Sequence, residues 1–173
     1  EVTSGEPPIE LVPGSGVFAG RYVSAAGANP YSNLHFRAVD SLFGSPAGSV
    51  EAYVLNSSDG RWNGSLAGAE LALELLAISP GLNIADESGT TILAAPGQTF
   101  SLGSGASVDF RPVFWVDGAA APGVYSATVR VIDMTNTFGA SGEFTFDFEV
   151  LPEPATLLLL VPVLLLRRSR AHV

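Results

Sequence analysis

Cysteine and lysine are both absent from the 173-residue sequence. Without cysteine there is no disulfide framework and no thiolate for a metal or a substrate, and without lysine there is no amine for a Schiff base. The two histidines are His35 and His172, so a histidine relay in the body of the chain would depend on His35. No Gly-x-Ser-x-Gly elbow marks a nucleophilic serine. We therefore expect no enzyme, no cofactor and no metal site.

Basic residues are scarce before Pro152. That part of the chain has sixteen acidic residues and five arginines, which gives a net charge of −11. Proteins bind nucleic acid largely through basic contacts to phosphate, so the sequence predicts no nucleic-acid partner. The sequence opens on Glu1 without a signal-like apolar run, and we expect either that a secretory signal has been removed or that the sequence begins at the mature end.

Glycine and proline are frequent, and charged residues make up only 14% of the chain, which is typical of a turn-rich β protein. Short apolar stretches alternate with turn signals every eight to twelve residues or so, as in a sandwich or barrel. Pro112 lies inside one of these stretches and predicts an edge strand or a bulge there. The predicted short strands are residues 9–12, 16–23, 34–39, 49–55, 82–85, 90–94, 98–102 and 108–116.

The clearest pattern closes the body of the chain. We predict strands from Gly123 to Met134 and from Glu143 to Val150, each with one buried face, because residues alternate between apolar and polar from Tyr125 to Val131 and again from Glu143 to Val150. Together with the entry Pro122-Gly123-Val124-Tyr125, this pair is similar in pattern to the closing strands of immunoglobulin-like sandwiches. We therefore predict an all-β, immunoglobulin-like β-sandwich over residues 1–151, followed by a short C-terminal transmembrane helix.

The stretch from Leu66 to Ile78 is ambiguous. Its alanine, leucine and glutamate content favours a helix, in which Glu70 and Glu74 share a face. The same residues alternate as a strand, with leucines on one side and glutamates on the other. Because strand signals surround this stretch, a strand is the favoured prediction, and a helix remains the alternative.

Residues 152–173 differ from everything before them. The turn Pro152-Glu153-Pro154 is followed by an uncharged run from Ala155 to Leu166 and then by a basic end. This order strongly resembles the PEP-CTERM sorting signal of exported proteins in Gram-negative bacteria that make exopolysaccharide. The residues of the run that we assign to the membrane include Ala155, Leu157, Leu160, Pro162 and Leu166, and the basic stop is Arg167, Arg168 and Arg170.

The resemblance implies an exosortase-type processing enzyme as partner, and it makes exopolysaccharide a candidate partner as well. Because arginines stay on the cytoplasmic side, the body is expected outside the inner membrane and the C-terminus inside the cytoplasm. Twelve helical residues span about 18 Å against roughly 30 Å of hydrocarbon, and Pro162 would kink the helix. We therefore expect transient membrane residence, then processing and delivery to the cell surface or the extracellular matrix.

A polar loop suggests an alternative function. It places Trp62 among Asp59, Arg61 and Asn63, and sugars bind by stacking on aromatic rings beside planar polar groups. The interpretation we favour for the loop itself is an ordinary hairpin whose tryptophan packs on the end of the sandwich. An exported structural or adhesive protein is the leading hypothesis, and a surface carbohydrate-binding module is the alternative.

Overall fold

The computed structural model describes residues 7–24, 34–38, 43–49, 52 and 65–152, and these residues form an all-β protein. One turn of 3-10 helix at Gly16–Phe18 precedes the third strand. The strands in the described part of the chain are β1 (Ile9–Glu10), β2 (Val12–Pro13), β3 (Arg21–Val23), β4 (Phe36–Arg37), β5 (Glu70–Ile78), β6 (Asn83–Ala85), β7 (Thr91–Leu93), β8 (Thr99–Ser104), β9 (Asp109–Phe110), β10 (Val113–Asp117), β11 (Gly123–Asp133) and β12 (Phe144–Val150).

The strands form two five-stranded sheets and one small ribbon. The first sheet has the order β1-β12-β11-β5-β8, and the second has the order β2-β3-β10-β6-β7. Neighbours run antiparallel except β1 and β12, which are parallel. The ribbon pairs β4 with β9.

The chain passes from one sheet to the other at Leu11. Ile9 in β1 is paired with Phe148 of the first sheet, whereas Val12 in β2 is paired with Val23 of the second. Between them, the N–H of buried Leu11 donates to the carbonyl of Glu149 at 2.8 Å. One extended segment therefore joins the edges of both sheets.

Both large sheets contribute to one hydrophobic core. The ring of Phe114 from β10 stacks on Phe148 from β12 with centroids 4.4 Å apart. Leu73 and Val129 of the first sheet and Ile84 of the second are fully buried in the same cluster. Burying each such side chain contributes about 1.5–3 kcal/mol, so this cluster is the main source of stability.

The ambiguous stretch is a strand from Glu70 onward, which confirms the favoured prediction of β structure. Leu73 and Leu75 are completely buried, while Glu74 between them pairs with Arg130 of the neighbouring strand at 2.6 Å. As a strand, the segment places its leucines in the core and pairs the carboxylate of Glu74 with Arg130. The stabilisation from these tertiary contacts outweighs the intrinsic helix preference of the segment.

Two predicted strands are longer than those in the structure, and a third lies mostly outside the described residues. The prediction for 16–23 was too long, because a 3-10 turn and Gly20, at φ +79°, precede the short β3. Within the described residues 34–38 of the strand predicted at 34–39, only Phe36–Arg37 form a strand, β4. Most of residues 49–55 lie outside the described part of the chain.

The edge or bulge predicted from Pro112 is wrong. The strand containing it is divided into β9 and β10, and β10 lies in the centre of the second sheet between β3 and β6. Pro112 is buried in the break between the two strands. Since proline has no N–H to donate to a ladder, pairing resumes only at Val113.

None of the helices within the described ranges is long and apolar enough to cross a membrane. The predicted membrane segment from Ala155 to Leu166 lies outside those ranges.

Candidate functional site: the distal loop cluster

The two ends of the first sheet differ in character. At one end Val150 of β12 is paired with Gly123, and exposed Leu151 and Pro152 follow directly. At the opposite end the loop between β11 and β12 lies beside the start of β5 and the end of β8. Residues 66–69, 105–107 and 134–142 form this end, and we name them the distal loop cluster.

Asp133, the last residue of β11, organises the longest of these loops. Its carboxylate accepts hydrogen bonds from the backbone N–H groups of Thr135, Thr137 and Phe138 at 2.8–2.9 Å. The Thr135 hydroxyl donates to the same carboxylate, and the N–H of Glu70 reaches it at 3.2 Å. One buried side chain therefore satisfies most of the donors of the turn and ties it to β5.

The electrostatics of Asp133 agree with this geometry. Burial by itself raises the pKa of the carboxyl, because it penalises the charged form. The hydrogen bonds from Phe138, Thr135 and Thr137 stabilise the carboxylate more strongly and lower the pKa to about 2. Asp133 is thus ionised at any physiological pH, and the loop retains its acceptor.

The loops of residues 66–69 and 105–107 are hydrogen-bonded to each other, and the loop of residues 134–142 is hydrogen-bonded to the start of β5. The N–H of Gly105 donates to the carbonyl of Ala69 at 2.9 Å, and the N–H of Met134 donates to the carbonyl of Glu70 at 2.7 Å. A Cβ atom at Gly105 would lie 2.6 Å from the carbonyl oxygen of Leu66, closer than any tolerated contact. Glycine is therefore required for this close approach.

The outer surface of the cluster is apolar in places and uncharged along the longest loop. Met134 is 59% exposed and Phe138 is 39% exposed, although both are large apolar side chains. No charged residue occurs at positions 134–142. Asn136, at φ +57°, adopts a left-handed conformation at the turn, and its side-chain amide makes no hydrogen bond within the described residues.

The residues predicted from the sequence fall in different places. Pro152 is exposed directly after the core strand β12. The other predicted residues lie outside the described part of the chain. They are the glycan loop (Asp59, Arg61, Trp62, Asn63), the rest of the sorting motif (Glu153, Pro154), the membrane residues (Ala155, Leu157, Leu160, Pro162, Leu166) and the basic stop (Arg167, Arg168, Arg170).

Two further chemistry-bearing residues of the described chain, His35 and Asp86, have structural partners. His35 lies just before β4, and its Nε2 hydrogen-bonds the carboxylate of Asp109, which lowers the pKa of Asp109. The carboxylate of Asp86 accepts hydrogen bonds from Ser88 and Thr90 and closes its own turn. Among the described residues, no three histidine or acidic side chains are grouped to hold a metal ion.

An Arg–Trp pair lies on the second sheet. The guanidinium of Arg21 lies 3.9 Å from the ring centroid of Trp115, a cation–π contact. Arg21 Nη1 and Trp115 Nε1 are buried and have no hydrogen-bond partner within the described structure. Because both atoms are closed to solvent, this pair is less accessible to a ligand than the distal loop cluster.

Sequence reasoning missed Asp133 and Phe138 as site residues. The local signal is Asp133-Met134-Thr135-Asn136-Thr137, an aspartate followed by turn-forming polar residues after a long strand. That signal predicts a turn held by the aspartate. It does not predict that Phe138 remains exposed.

Comparisons with known proteins identify no family. No family model matches the chain, and no curated protein matches it significantly. Half of the chain (50%) is similar to 19% of a family 123 glycoside hydrolase from Clostridium perfringens, at 14% identity and a TM-score of 0.29. The chain thus spans only a small part of that protein, and the similarity carries no argument about fold or function.

Proposed function

We propose that this chain is an exported structural or adhesive protein of the cell envelope or extracellular matrix, without enzymatic activity. Its C-terminal signal directs sorting, and an exosortase-type enzyme processes it. The observation that carries this proposal is the order of the tail: Pro152-Glu153-Pro154, an uncharged run, and a basic end. In the proposed topology the body lies outside the inner membrane, and the run from Ala155 to Leu166 holds the precursor there transiently.

We also propose that the two large sheets form an immunoglobulin-like sandwich. The passage of the first segment between sheets at Leu11 supports this, as does the closing hairpin of β11 and β12. A third feature is the hydroxyl of Tyr125, near the start of β11, which donates to the carbonyl of Ala121 at 2.7 Å. A tyrosine that bonds backwards at this corner is a hallmark of such sandwiches.

The experiment that tests the sorting proposal is the intact mass of the exported protein in host cells with and without the exosortase. We expect a form truncated near Pro152-Glu153-Pro154 when the enzyme is present and a full-length C-terminus when it is absent. A Glu153→Ala variant should remain full-length in both strains. An intact C-terminus of the parent protein in both strains would contradict the proposal.

A surface carbohydrate-binding module is the second candidate, which Trp62 in its polar loop favours. Saturable binding on a glycan array that is lost in Trp62→Ala would support it. If the parent protein binds no glycan on the array, the carbohydrate-binding function is excluded.

A further inference from the structure

The loop of residues 134–142 has the properties of a preorganised binding loop. Asp133 fixes three of its backbone N–H groups, and Ser141 Oγ accepts the N–H of Val131 at 2.8 Å at its other end. A loop already held in one conformation loses little entropy when it binds a ligand. Its exposed apolar side chains therefore present a defined surface.

This loop carries an exposed aromatic ring and an amide two positions apart in the sequence. Phe138 supplies an aromatic ring that is 39% exposed, and Met134 supplies a second exposed apolar side chain on the same loop. Between them in sequence, Asn136 supplies an amide that has no hydrogen-bond partner within the described residues. An apolar ring face for the C–H groups of a sugar and a planar amide for its hydroxyls are what a carbohydrate requires.

The size of the surface also favours a sugar over a protein. A stable protein–protein interface needs roughly 800 Å² on each partner, with several buried anchors. Two exposed large apolar side chains on one short loop match the footprint of one or two sugar rings better than an interface of that size.

The charge of the protein favours neutral over anionic carbohydrates as ligands. The loop has no charged residue, and the chain before Pro152 has a net charge of −11. An acidic surface repels uronate or sulfate groups, and the loop has no arginine or lysine to pair with them. We propose that the distal loop cluster binds a neutral carbohydrate chain, which stacks on Phe138 and hydrogen-bonds the amide of Asn136.

This inference gives a site to the proposed adhesive role and rests on that role. It differs from the glycan site predicted at Trp62, because it uses another loop. It also does not depend on the tail, so its failure and the failure of the sorting proposal are distinguishable.

The test measures binding of the full chain, in detergent, to a soluble β-glucan, a galactomannan and a polygalacturonate by affinity electrophoresis. We expect retardation by at least one of the two neutral polymers and none by the polygalacturonate. Phe138→Ala should weaken the binding about tenfold or more, the loss of one stacking anchor. Phe138→Leu keeps an apolar side chain in case the alanine variant folds poorly, and it should weaken binding as well because it removes the ring.

Two control variants make the result specific. Phe43→Ala removes another exposed phenylalanine and should bind like the parent protein. Trp62→Ala should also bind like the parent. The proposal is overturned if the parent binds no neutral polymer, if it binds only the polygalacturonate, if binding is lost in Trp62→Ala, or if Phe138→Ala and Phe138→Leu both bind like the parent.

Discussion

Among the described residues, Asp133 is the one whose environment departs most from that of an ordinary surface carboxylate. Its folded pKa of about 2 lies below the usual 3.8, so folding favours the ionised form. The stability that this carboxylate contributes is present above about pH 4 and is lost as the pH falls toward 2. Acid should therefore loosen the loop between β11 and β12 before it affects the core.

We expect Asp133→Asn to destabilise the protein at neutral pH, because an amide replaces a charged acceptor of several N–H groups. The difference from the parent should shrink as the pH falls and the parent carboxylate becomes protonated. Urea unfolding at pH 7, 4 and 2.5 measures this. Glu87→Gln, at an exposed turn, is the control and should change stability little at any of these pH values. A difference that is equal at all three pH values would contradict the assignment.

A second prediction at this scale concerns Phe148. Its ring is fully buried and stacks on Phe114 across the two sheets. Phe148→Ala should lower the free energy of unfolding by about 3–5 kcal/mol, because it removes apolar burial and leaves a cavity. Phe43→Ala, at a position 49% exposed, should change it by less than about 1 kcal/mol. Equal losses in the two variants, measured by chemical denaturation, would show that the shared core does not carry the stability.

At the scale of elements, β12 leads from the core to Pro152, the first residue of the proposed sorting motif, with almost no linker. Val150 is buried, its partner is Gly123, and the carbonyl of the preceding Glu149 accepts the N–H of Leu11. Only Leu151 separates Val150 from Pro152. A protease that needs an extended substrate around the motif therefore has to work against a strand that is paired on both sides.

This arrangement predicts that spacing limits processing. Inserting Gly-Ser-Gly-Ser between Leu151 and Pro152 should increase the rate at which an exosortase-bearing host truncates the protein. The same insertion in the exposed loop after Gly139, far from the motif, is the matched control. Pulse-chase labelling with intact-mass readout measures the rate. An unchanged rate in the first variant would mean that the strand does not restrict access.

The elements also show what could be predicted from sequence. β11 and β12 were predictable because seven or more residues alternate strictly and one whole face enters the core. β1, β2 and β4 have two residues each, too few for a period, so they are defined by their pairing. The break at Pro112 was misread because the sequence shows that proline interrupts a ladder, but not which sheet the strand joins.

The candidate site was predicted less well than the fold. The pattern around Asp133 indicates a turn, but the donors that reach its carboxylate are set by backbone geometry, and the N–H of Glu70 comes from a segment 63 residues away. Exposure of Phe138 likewise depends on how its loop lies in the folded protein. By contrast, the position of Pro152 just after the last core strand follows from the alternation ending at Val150, and the structure places it there, exposed.

At the scale of the whole molecule, charge is divided between two parts. The chain before Pro152 has a net charge of −11, whereas three of the eight arginines lie in the tail. Basic residues resist translocation and an acidic body does not oppose export, so the proposed orientation places the two parts on opposite sides of the inner membrane. The absence of cysteine allows this to be tested with single engineered thiols.

In cells without the exosortase, Ala95→Cys in the body should react with a membrane-impermeant maleimide once the outer membrane is permeabilised. Ala95 is exposed in the turn between β7 and β8, so its side chain is accessible without disturbing the core. Ser169→Cys in the basic end should react only after the inner membrane is also disrupted. The parent chain, which has no thiol, is the control for background labelling. If both thiols react before the inner membrane is opened, the tail does not span it, and the signal acts by some means other than membrane retention.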